Sequence, residues 1–337
     1  MNLQRNPQHQ RVAAFAPSNI ALTKYWGKRD HTLNLPLASS ISVTLGELGS
    51  LTVCAPQPDL QTDAMLVDEQ PLDDAGMQKV RRVLDIIRQM AGSDVHAGLN
   101  SLNTVPTARG LASSASAFAA LAMAASHAYG LDLDAAALSR LARTGSGSAS
   151  RSIHGGFVQW QRGEKADGSD SEARQLHPAE HWPLKILVAQ VRDGKKKVSS
   201  TSGMRMASSD SLTFRGWIEQ CEKDVKECEL ALAQKDIEKL ANVVEGNALA
   251  MHGTMMASRP PLLYWQPATV GIIHTIRNLR ADGTACLFTI DAGSSVVVLV
   301  EPGDAGPVAE ALAEIPGVET VLQTRVGEGA RLVPERA

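Results

Sequence analysis

The sequence predicts an α+β protein built from two lobes. Its 337 residues are more than one typical domain holds, which indicates two domains or one large bilobal unit. The composition is 44% apolar and 20% charged, which is typical of a globular chain with a substantial core. Runs with the period of strands alternate with runs with the period of helices in both halves of the chain, so neither half is all-α or all-β.

Charge and hydropathy exclude several functional classes. The net charge of −3 and the pI near 6.3 provide no basic footprint, so we expect no nucleic-acid partner. No apolar run approaches the ~20 residues of a membrane span, so we expect no membrane segment. The polar residues 1–10 lack the apolar core of a signal peptide and are predicted to be a disordered tail, which indicates a cytoplasmic protein.

The four cysteines are predicted to be buried free thiols in a reducing compartment. They are too few for a disulfide scaffold in a chain of this length, and their spacing matches no metal-binding motif.

The first half is predicted to begin with strands and to continue with helices. In order, we expect a strand at 11–16 ended by Pro17, a hairpin or meander at 41–54, a strand at 65–68, a helix from Asp73 to Gly92, a strand at 95–102, an alanine-rich helix after residue 112, a second helix to Arg143 and a strand at 156–161.

Residues 106–116 (PTARGLASSAS) change from a loop punctuated by Pro and Gly into an alanine-rich helix. The first amides of a helix have no intrahelical partner and lie at its positive end. Together with three serine hydroxyls they suit a polyphosphate. An ordinary helix cap by Ser113 or Ser114 explains the same residues equally well.

Two further segments combine cations with small or aromatic residues. Residues 19–30 place Lys24 and Lys28 beside Tyr25 in a chain with only 4% aromatics, although a solvated basic turn is the alternative. Residues 144–152 form a second Ser/Gly-rich loop ending near Arg151, whose guanidinium could grip a phosphate or carboxylate. A surface ion pair is the alternative for that arginine.

The second half is predicted to be α+β as well. We expect strands at 184–191, 285–290, 296–300 and 319–325, helices over most of 211–282 with a break at 258–261, a helix at 306–315, and a polar loop at 193–203.

Two residues of this half have ambiguous roles on local pattern alone. Asp291 begins a small-residue turn between two apolar strands, where a turn-forming role is favoured over a catalytic one. His252 is interpreted as a packed or helix-surface histidine rather than a catalyst.

Four motifs in order resemble the diphosphomevalonate decarboxylase (mevalonate 5-diphosphate decarboxylase) family of the GHMP kinase superfamily. They are NIALTKYWGKRD at 19–30, PTARGLASSAS at 106–116, GSGSASRS at 145–152 followed by GGFV at 155–158, and KKVSSTSGM at 196–204. Residues 245–252 and TIDAG at 289–293 add to the match. Each motif is weak alone, but their order and spacing agree from about residue 11 to 333.

The resemblance implies a two-lobed, GHMP-kinase-like fold with the active site in the cleft. The N-terminal lobe would resemble domain 2 of ribosomal protein S5, and the C-terminal lobe would be ferredoxin-like. We therefore expect a tail at 1–10, an ATP-binding domain at 11–190 and a second domain at 191–337. The family uses ATP and Mg²⁺, is usually a homodimer, and converts mevalonate 5-diphosphate to isopentenyl diphosphate, CO₂, ADP and phosphate.

The resemblance also assigns roles to residues, and it reverses the local interpretation of Asp291. The implied catalytic residues are Asp291, Lys24 and Arg151. The implied substrate-binding residues are Tyr25, Lys28, Ser146, Ser148, Arg151 and Ser200. The implied ATP-binding residues are Pro106, Gly110, Leu111, Ala112, Ser113, Ser114 and Ser116, with Ser113 or Ser114 near Mg²⁺.

Two departures from the family pattern leave the reaction open. The family's Asp-Ala-Gly-Pro-Asn is DAGSS at 291–295, which loses a proline that restricts the turn. Thr201 stands where some bacterial relatives carry Arg, which makes a monophosphate substrate a second possibility. A kinase that acts on the 3-hydroxyl without decarboxylation is a third, and a catalytically silent nucleotide-binding protein is a fourth.

Overall fold

A computed structural model describes residues 9–104, 113–192 and 198–334, except for the side chain of Ser113. The predicted α+β class is confirmed, with helices packed on two separate main sheets. In chain order the first elements are β1 (Val12–Thr23), β2 (Lys28–Asp30), β3 (Leu35–Pro36), β4 (Ser40–Pro56), β5 (Ala64–Val67), β6 (Gln70–Pro71), α1 (Asp74–Ala91), β7 (Ala97–Asn103), α2 (Ser113–Ala128), α3 (Ala135–Gly145), a 3₁₀ helix (Gly147–Ile153), β8 (Phe157–Trp160) and β9 (Ala173–His177). The later elements are a 3₁₀ turn (Ala179–His181), β10 (Lys185–Val191), α4 (Ser200–Asp210), α5 (Phe214–Gln234), α6 (Ile237–Met256), α7 (Pro267–Ala281), β11 (Cys286–Thr289), β12 (Val296–Val300), a 3₁₀ turn (Pro302–Asp304), α8 (Ala305–Ala313), β13 (Val318–Arg325) and β14 (Arg331–Val333).

The first sheet is organised around two long antiparallel strands. Its strand order is β14-β1-β4-β7-β5-β6, and β8 and β9 extend it from the other part of β4. β1 does not end at Pro17 as predicted, because a register shift between Pro17 and Asn19 absorbs the proline and the strand continues to Thr23. The extra length brings the end of β1 towards the second sheet.

The predicted hairpin or meander at 41–54 is wrong, because β4 is one continuous strand. It pairs with β1 along one side, while β8 and β7 share its other side. The same alternating pattern that suits a hairpin therefore serves one long strand with two partners.

Helices α1, α2 and α3 cover one face of the first sheet. Asp73 caps α1 by accepting from the Gly76 amide at 2.7 Å, and Gly92 ends the helix with a φ of 64°. The alanines of α2 are almost all buried, so the helix lies close against β1 and β4. This packing fixes the N-terminus of α2 above the sheet.

The second sheet has a ferredoxin-like topology. Elements β10, α4–α7, β11, β12, α8 and β13 form a βαββαβ unit with the antiparallel order β11-β12-β10-β13. α7 and α8 pack on this sheet over an apolar cluster that includes Phe288 and Leu312, whereas α6 contacts both β11 and β1. α6 therefore lies where the two halves of the chain meet.

The two halves are also joined through backbone pairing. β14 returns to pair with β1, and Val326 bridges to Leu45. β10 belongs to the second sheet, although the predicted division between 190 and 191 places this strand with the first part. The division of the chain into two domains remains a prediction.

The predicted free thiols are confirmed. Cys54, Cys221, Cys228 and Cys286 are buried and unpaired. In the three described stretches of chain, none of the helices has the length and apolar character that crossing a bilayer requires.

The contact of α2 with α3 provides a test of this packing. A Cβ added to Gly145 would overlap the ring of Phe118, so Gly145→Ala should destabilise the fold by about 1–3 kcal/mol. At Gly246, in the middle of α6, an added Cβ meets nothing, so Gly246→Ala should stabilise by about 0.5–1 kcal/mol. The midpoint of urea unfolding measures both changes, and equal shifts for the two variants would contradict the packing.

Candidate active site

A buried ion pair joins the two halves of the chain. Lys24 directly follows β1, Asp291 lies two residues after β11, and the Lys24 Nζ donates to Asp291 Oδ1 at 2.6 Å. The Lys24 side chain is 1% exposed and that of Asp291 is 35% exposed. Burial lowers the pKa of Lys24, and the adjacent Asp291 carboxylate opposes that shift. The Lys24 side chain is therefore buried in a fixed position, whereas part of the Asp291 carboxylate is accessible to a ligand.

Neighbouring helices hold the backbone of the Asp291 turn. His252 on α6 lies 3.2 Å from the Asp291 carbonyl, so its Nε2 must be the donor, and Thr269 on α7 donates to the Ser294 carbonyl at 2.7 Å. Burial, and next the nearby Lys24 charge, lower the pKa of His252 to about 4. The interpretation of His252 as a packed histidine is confirmed. The turn thus has anchors that do not depend on the proline it lacks.

Arg151 is a buried cation that has no carboxylate partner among the described residues. It lies in the 3₁₀ helix at 2% exposure, donates to Asn19 Oδ1 at 3.2 Å and to Ser40 Oγ at 2.6 Å, and approaches the Trp160 ring. Among the ion pairs of the described residues none includes Arg151, so the surface-ion-pair alternative is wrong. Burial lowers its pKa to about 10, and Asp291 opposes the shift. The hydrogen-bond acceptors described for the desolvated Arg151 guanidinium are neutral, and such a cation favours an anionic ligand.

Tyr25 lies close to this arginine, and Lys28 follows three residues later in the same segment as Tyr25. Lys28 Nζ donates to Asn34 Oδ1 at 2.5 Å. Burial, followed by the charges of three further cations, lowers the pKa of Lys28 to about 8; these cations are Lys79, Arg82 and Arg205. The Tyr25 ring meets Trp160 edge to face, and its buried hydroxyl lacks a hydrogen-bond partner within the described parts of the chain. An anion would relieve the repulsion among these cations and provide the hydroxyl with an acceptor.

The start of α2 meets the second Ser/Gly-rich segment. Ser114 Oγ lies 3.3 Å from Ser146 Oγ, which is 3.4 Å from Ser148 Oγ. The predicted loop at 144–152 is mostly a 3₁₀ helix, which presents these hydroxyls towards the positive end of α2. The structure therefore brings together two serine-rich motifs more than 30 residues apart.

Ser116 is placed differently from the ATP-binding role expected of it. Its buried hydroxyl is 2.8 Å from Ser50 Oγ and receives a hydrogen bond from Ser18 at 3.3 Å. The side chain faces the sheet because position 116 lies on the packed side of α2.

Ser200 is the first residue of α4, next to the capping residue Ser199. Gly203, one turn later, passes so close to Trp26 that an added Cβ would lie 3.0 Å from its ring. The start of α4 therefore faces the segment that contains Lys24, Tyr25 and Lys28.

Several predicted residues lie outside the described part of the chain. These are Pro106, Gly110, Leu111 and Ala112, the side chain of Ser113, and the lysines of residues 195–197. Within the described stretches, no group of three or more His, Cys, Asp or Glu side chains could hold a metal ion.

The sequence patterns did not reveal the residues that anchor the Lys24 segment and the Asp291 turn. Asn247 accepts from the Lys24 amide at 2.8 Å, and Thr269 holds the Asp291 turn. Asn247 lies at the edge of the apolar stripe of α6. An amide side chain at such an edge was the only sequence signal for its anchoring role. Thr269 is one of many buried threonines and had none.

Comparisons with known proteins agree with this geometry. Residues 16–173 match the family model of the diphosphomevalonate decarboxylase-like N-terminal domain, and residues 186–333 match that of the mevalonate 5-diphosphate decarboxylase C-terminal domain. The fold is that of the GHMP kinases. The chain belongs to the diphosphomevalonate decarboxylase family.

Similar proteins come from bacteria and fungi. The chain is 35% identical to the diphosphomevalonate decarboxylase of Candida albicans over 95% of its own length and 97% of that protein. The mevalonate diphosphate decarboxylase of Staphylococcus aureus superposes with a TM-score of 0.91 at 35% identity, covering 96% of this chain and 98% of that one. A structure of MDDEF in complex with MVAPP, AMPPCP and magnesium has a TM-score of 0.89 at 39% identity, with the same coverage.

The low pKa of Lys28 predicts that anion binding depends on pH. Lys28 is charged below about pH 8 and loses its charge above it, so affinity for an anion should weaken relative to a permanently charged variant as pH rises from 7 to 9.5. Titration calorimetry with inorganic pyrophosphate should show this difference between the native protein and Lys28→Arg, since arginine stays protonated. If the affinity of both proteins for pyrophosphate changed with pH in parallel, the anion-binding role of Lys28 would be contradicted.

Proposed function

We propose that this protein catalyses the ATP-dependent decarboxylation of (R)-mevalonate 5-diphosphate to isopentenyl diphosphate, releasing CO₂, ADP and phosphate in the mevalonate pathway of isoprenoid biosynthesis. The observation that carries the proposal is the Lys24–Asp291 ion pair beside the buried Arg151, which has no acidic partner in the described part of the chain. Their charges are close enough to act on one another. The ligands of MDDEF, a relative of this chain, support the choice of substrates.

Asp291 is assigned to the tertiary 3-hydroxyl of the substrate. That hydroxyl is a poor leaving group and must be phosphorylated before it departs. Asp291 Oδ1 is bound by Lys24, whereas the rest of the partly exposed carboxylate can accept the hydroxyl proton and orient the oxygen towards the γ-phosphate of ATP.

Lys24 and Arg151 are assigned to the anionic groups around the reacting carbon. Lys24 Nζ is fixed by Asp291 and by the Ala21 carbonyl at 2.8 Å, so it is oriented before substrate arrives. Arg151 would hold the substrate carboxylate until CO₂ leaves. The burial of both cations keeps water away from that carboxylate, which favours loss of CO₂.

The diphosphate is assigned to the group formed by Tyr25, Lys28, Ser146, Ser148 and Ser200, with Arg151 at its inner end. Lys28 lies among other cations, and the Tyr25 hydroxyl has no hydrogen-bond partner among the described residues. Diphosphate oxygens would satisfy both.

ATP is assigned to the N-terminus of α2 and the loop before it. The described hydroxyls of Ser114, Ser146 and Ser148 lie in one row there, and the free amides of the helix end favour phosphate. Mg²⁺ would enter with ATP, near Ser113 or Ser114, and would neutralise the charge of the phosphates. Pro106, Gly110, Leu111 and Ala112 keep their predicted roles in this loop.

We further propose a homodimer located in the cytoplasm. The family resemblance supports the dimer, and four buried thiols without disulfides are typical of a reducing compartment.

The proposal is tested by the products of the purified protein with ATP, Mg²⁺ and mevalonate 5-diphosphate. We expect CO₂, ADP and phosphate in equal amounts, because phosphoryl transfer and decarboxylation are steps of one turnover. ADP without CO₂ would contradict the proposal and favour a 3-hydroxyl kinase, and no ADP would favour a silent nucleotide-binding protein. A parallel assay with mevalonate 5-phosphate separates the diphosphate from the monophosphate enzyme, which the threonine at position 201 makes the relevant comparison.

A further inference from the structure

The main-chain amide of Lys24 needs an acceptor from outside the sheet. A register shift between Ala21 and Thr23 marks the end of regular pairing between β1 and β4. Lys24 follows immediately and is almost completely buried, so its N–H has no strand partner and no water. Asn247 on α6 provides the acceptor, because its Oδ1 lies 2.8 Å from the Lys24 nitrogen.

Asn247 is itself held in one orientation by a carboxylate. Its Nδ2 donates to Asp224 Oδ2 at 2.6 Å, and Asp224 Oδ1 accepts from Gln220 on α5 at 2.9 Å. An ionised carboxylate only accepts, so Nδ2 must face Asp224 and Oδ1 must face Lys24. Asn247 is 2% exposed and Asp224 is 8% exposed, so loss of any hydrogen bond that they make would leave a buried polar group without a partner.

We propose that Asn247 and Asp224 are positioning residues that set the direction of the Lys24 side chain. They contact neither the reacting atoms nor the proposed ligands. The hydrogen bonds from Asp224 to Asn247 and from Asn247 to Lys24 fix the Lys24 backbone. The Ala21 carbonyl and Asp291 fix the ammonium at the other end of the side chain. α6 also carries His252, which holds the Asp291 carbonyl. One helix therefore aligns both members of the ion pair.

An exchange of the two side chains distinguishes this role from general packing. In Asn247→Asp, two carboxylates face each other where a donor met an acceptor. In Asp224→Asn, the new amide oxygen still accepts from Asn247, and its nitrogen can donate to the exposed Gln220 once that amide turns, so this variant keeps the hydrogen bonds. The double variant restores the hydrogen bond between positions 224 and 247 with donor and acceptor exchanged, and it keeps an acceptor for the Lys24 amide, at the same net charge as the native protein.

The inference rests on the proposed decarboxylation, so it is measured by steady-state release of CO₂ from mevalonate 5-diphosphate. Asn247→Asp should lower kcat by about 10- to 100-fold and leave both KM values within about threefold, since a misaligned catalytic group costs rate rather than binding, whereas Asp224→Asn should change kcat by less than about threefold. The double variant should recover to within about threefold of the native kcat. Asn242→Asp, an exposed site on the same helix, is the matched control and should change kcat by less than twofold.

Three outcomes would overturn the inference. They are an unchanged kcat in Asn247→Asp, a loss in KM alone in that variant, and a double variant whose loss equals that of Asn247→Asp. If the double variant does not fold, Asp224→Leu decides by itself, because it removes the acceptor of the Asn247 amide at a similar side-chain shape, and its kcat and KM are read separately. Absence of CO₂ release by the native protein would instead contradict the proposed function, so the two failures are distinguishable.

Discussion

The structure depends on a charge pair that is expensive to bury. Removing the Lys24 ammonium from water costs several kcal/mol, and the 2.6 Å contact with Asp291 offsets this only if the geometry is held closely. The two residues come from different sheets, at the ends of β1 and β11. Thr289 strengthens the junction by donating to the Ala21 carbonyl at 3.0 Å. The long β1, the packing of α6 and the turn after β11 all have to be correct before the pair can form.

The site around this pair has more positive than negative charge. Arg151 is buried and has no acidic partner within the stretches that the structure describes, and the charges of three other cations act on Lys28. Such an arrangement of buried cations destabilises the folded protein unless a ligand supplies negative charge. The charges of this site therefore suit a substrate with a carboxylate and a diphosphate. In the proposed mechanism the partly exposed Asp291 provides the basic group, so the cations and the carboxylate have separate functions.

Much of the fold was predictable because it follows from periodicity. α1 appeared from its apolar stripe and its caps, and the βαββαβ order of the second half followed from the succession of strands and helices. β4 was predicted wrongly because alternation is the same in a hairpin and in one long strand. Which partners a strand has is a tertiary property that local pattern does not contain.

The site was only partly predictable for a related reason. Motifs identified Lys24, Arg151 and Asp291, but the local pattern at Asp291 favoured a simple turn, and only its place among the other motifs indicated chemistry. The support from Asn247 had no motif, because it arises from an amide on one helix meeting the end of a distant strand. The inward orientation of the Ser116 hydroxyl likewise follows from how α2 packs on the sheet.

The most direct test of the central claim is a double-mutant cycle on kcat with Lys24→Gln, Asp291→Asn and the combined variant. If the ion pair acts as one unit, either single change removes most of the rate, and the combined variant is no slower than the slower single variant. If the two residues act independently, their losses multiply, and the combined variant is slower than the native protein by the product of the two single losses. That second result would contradict an active site built on the Lys24–Asp291 pair.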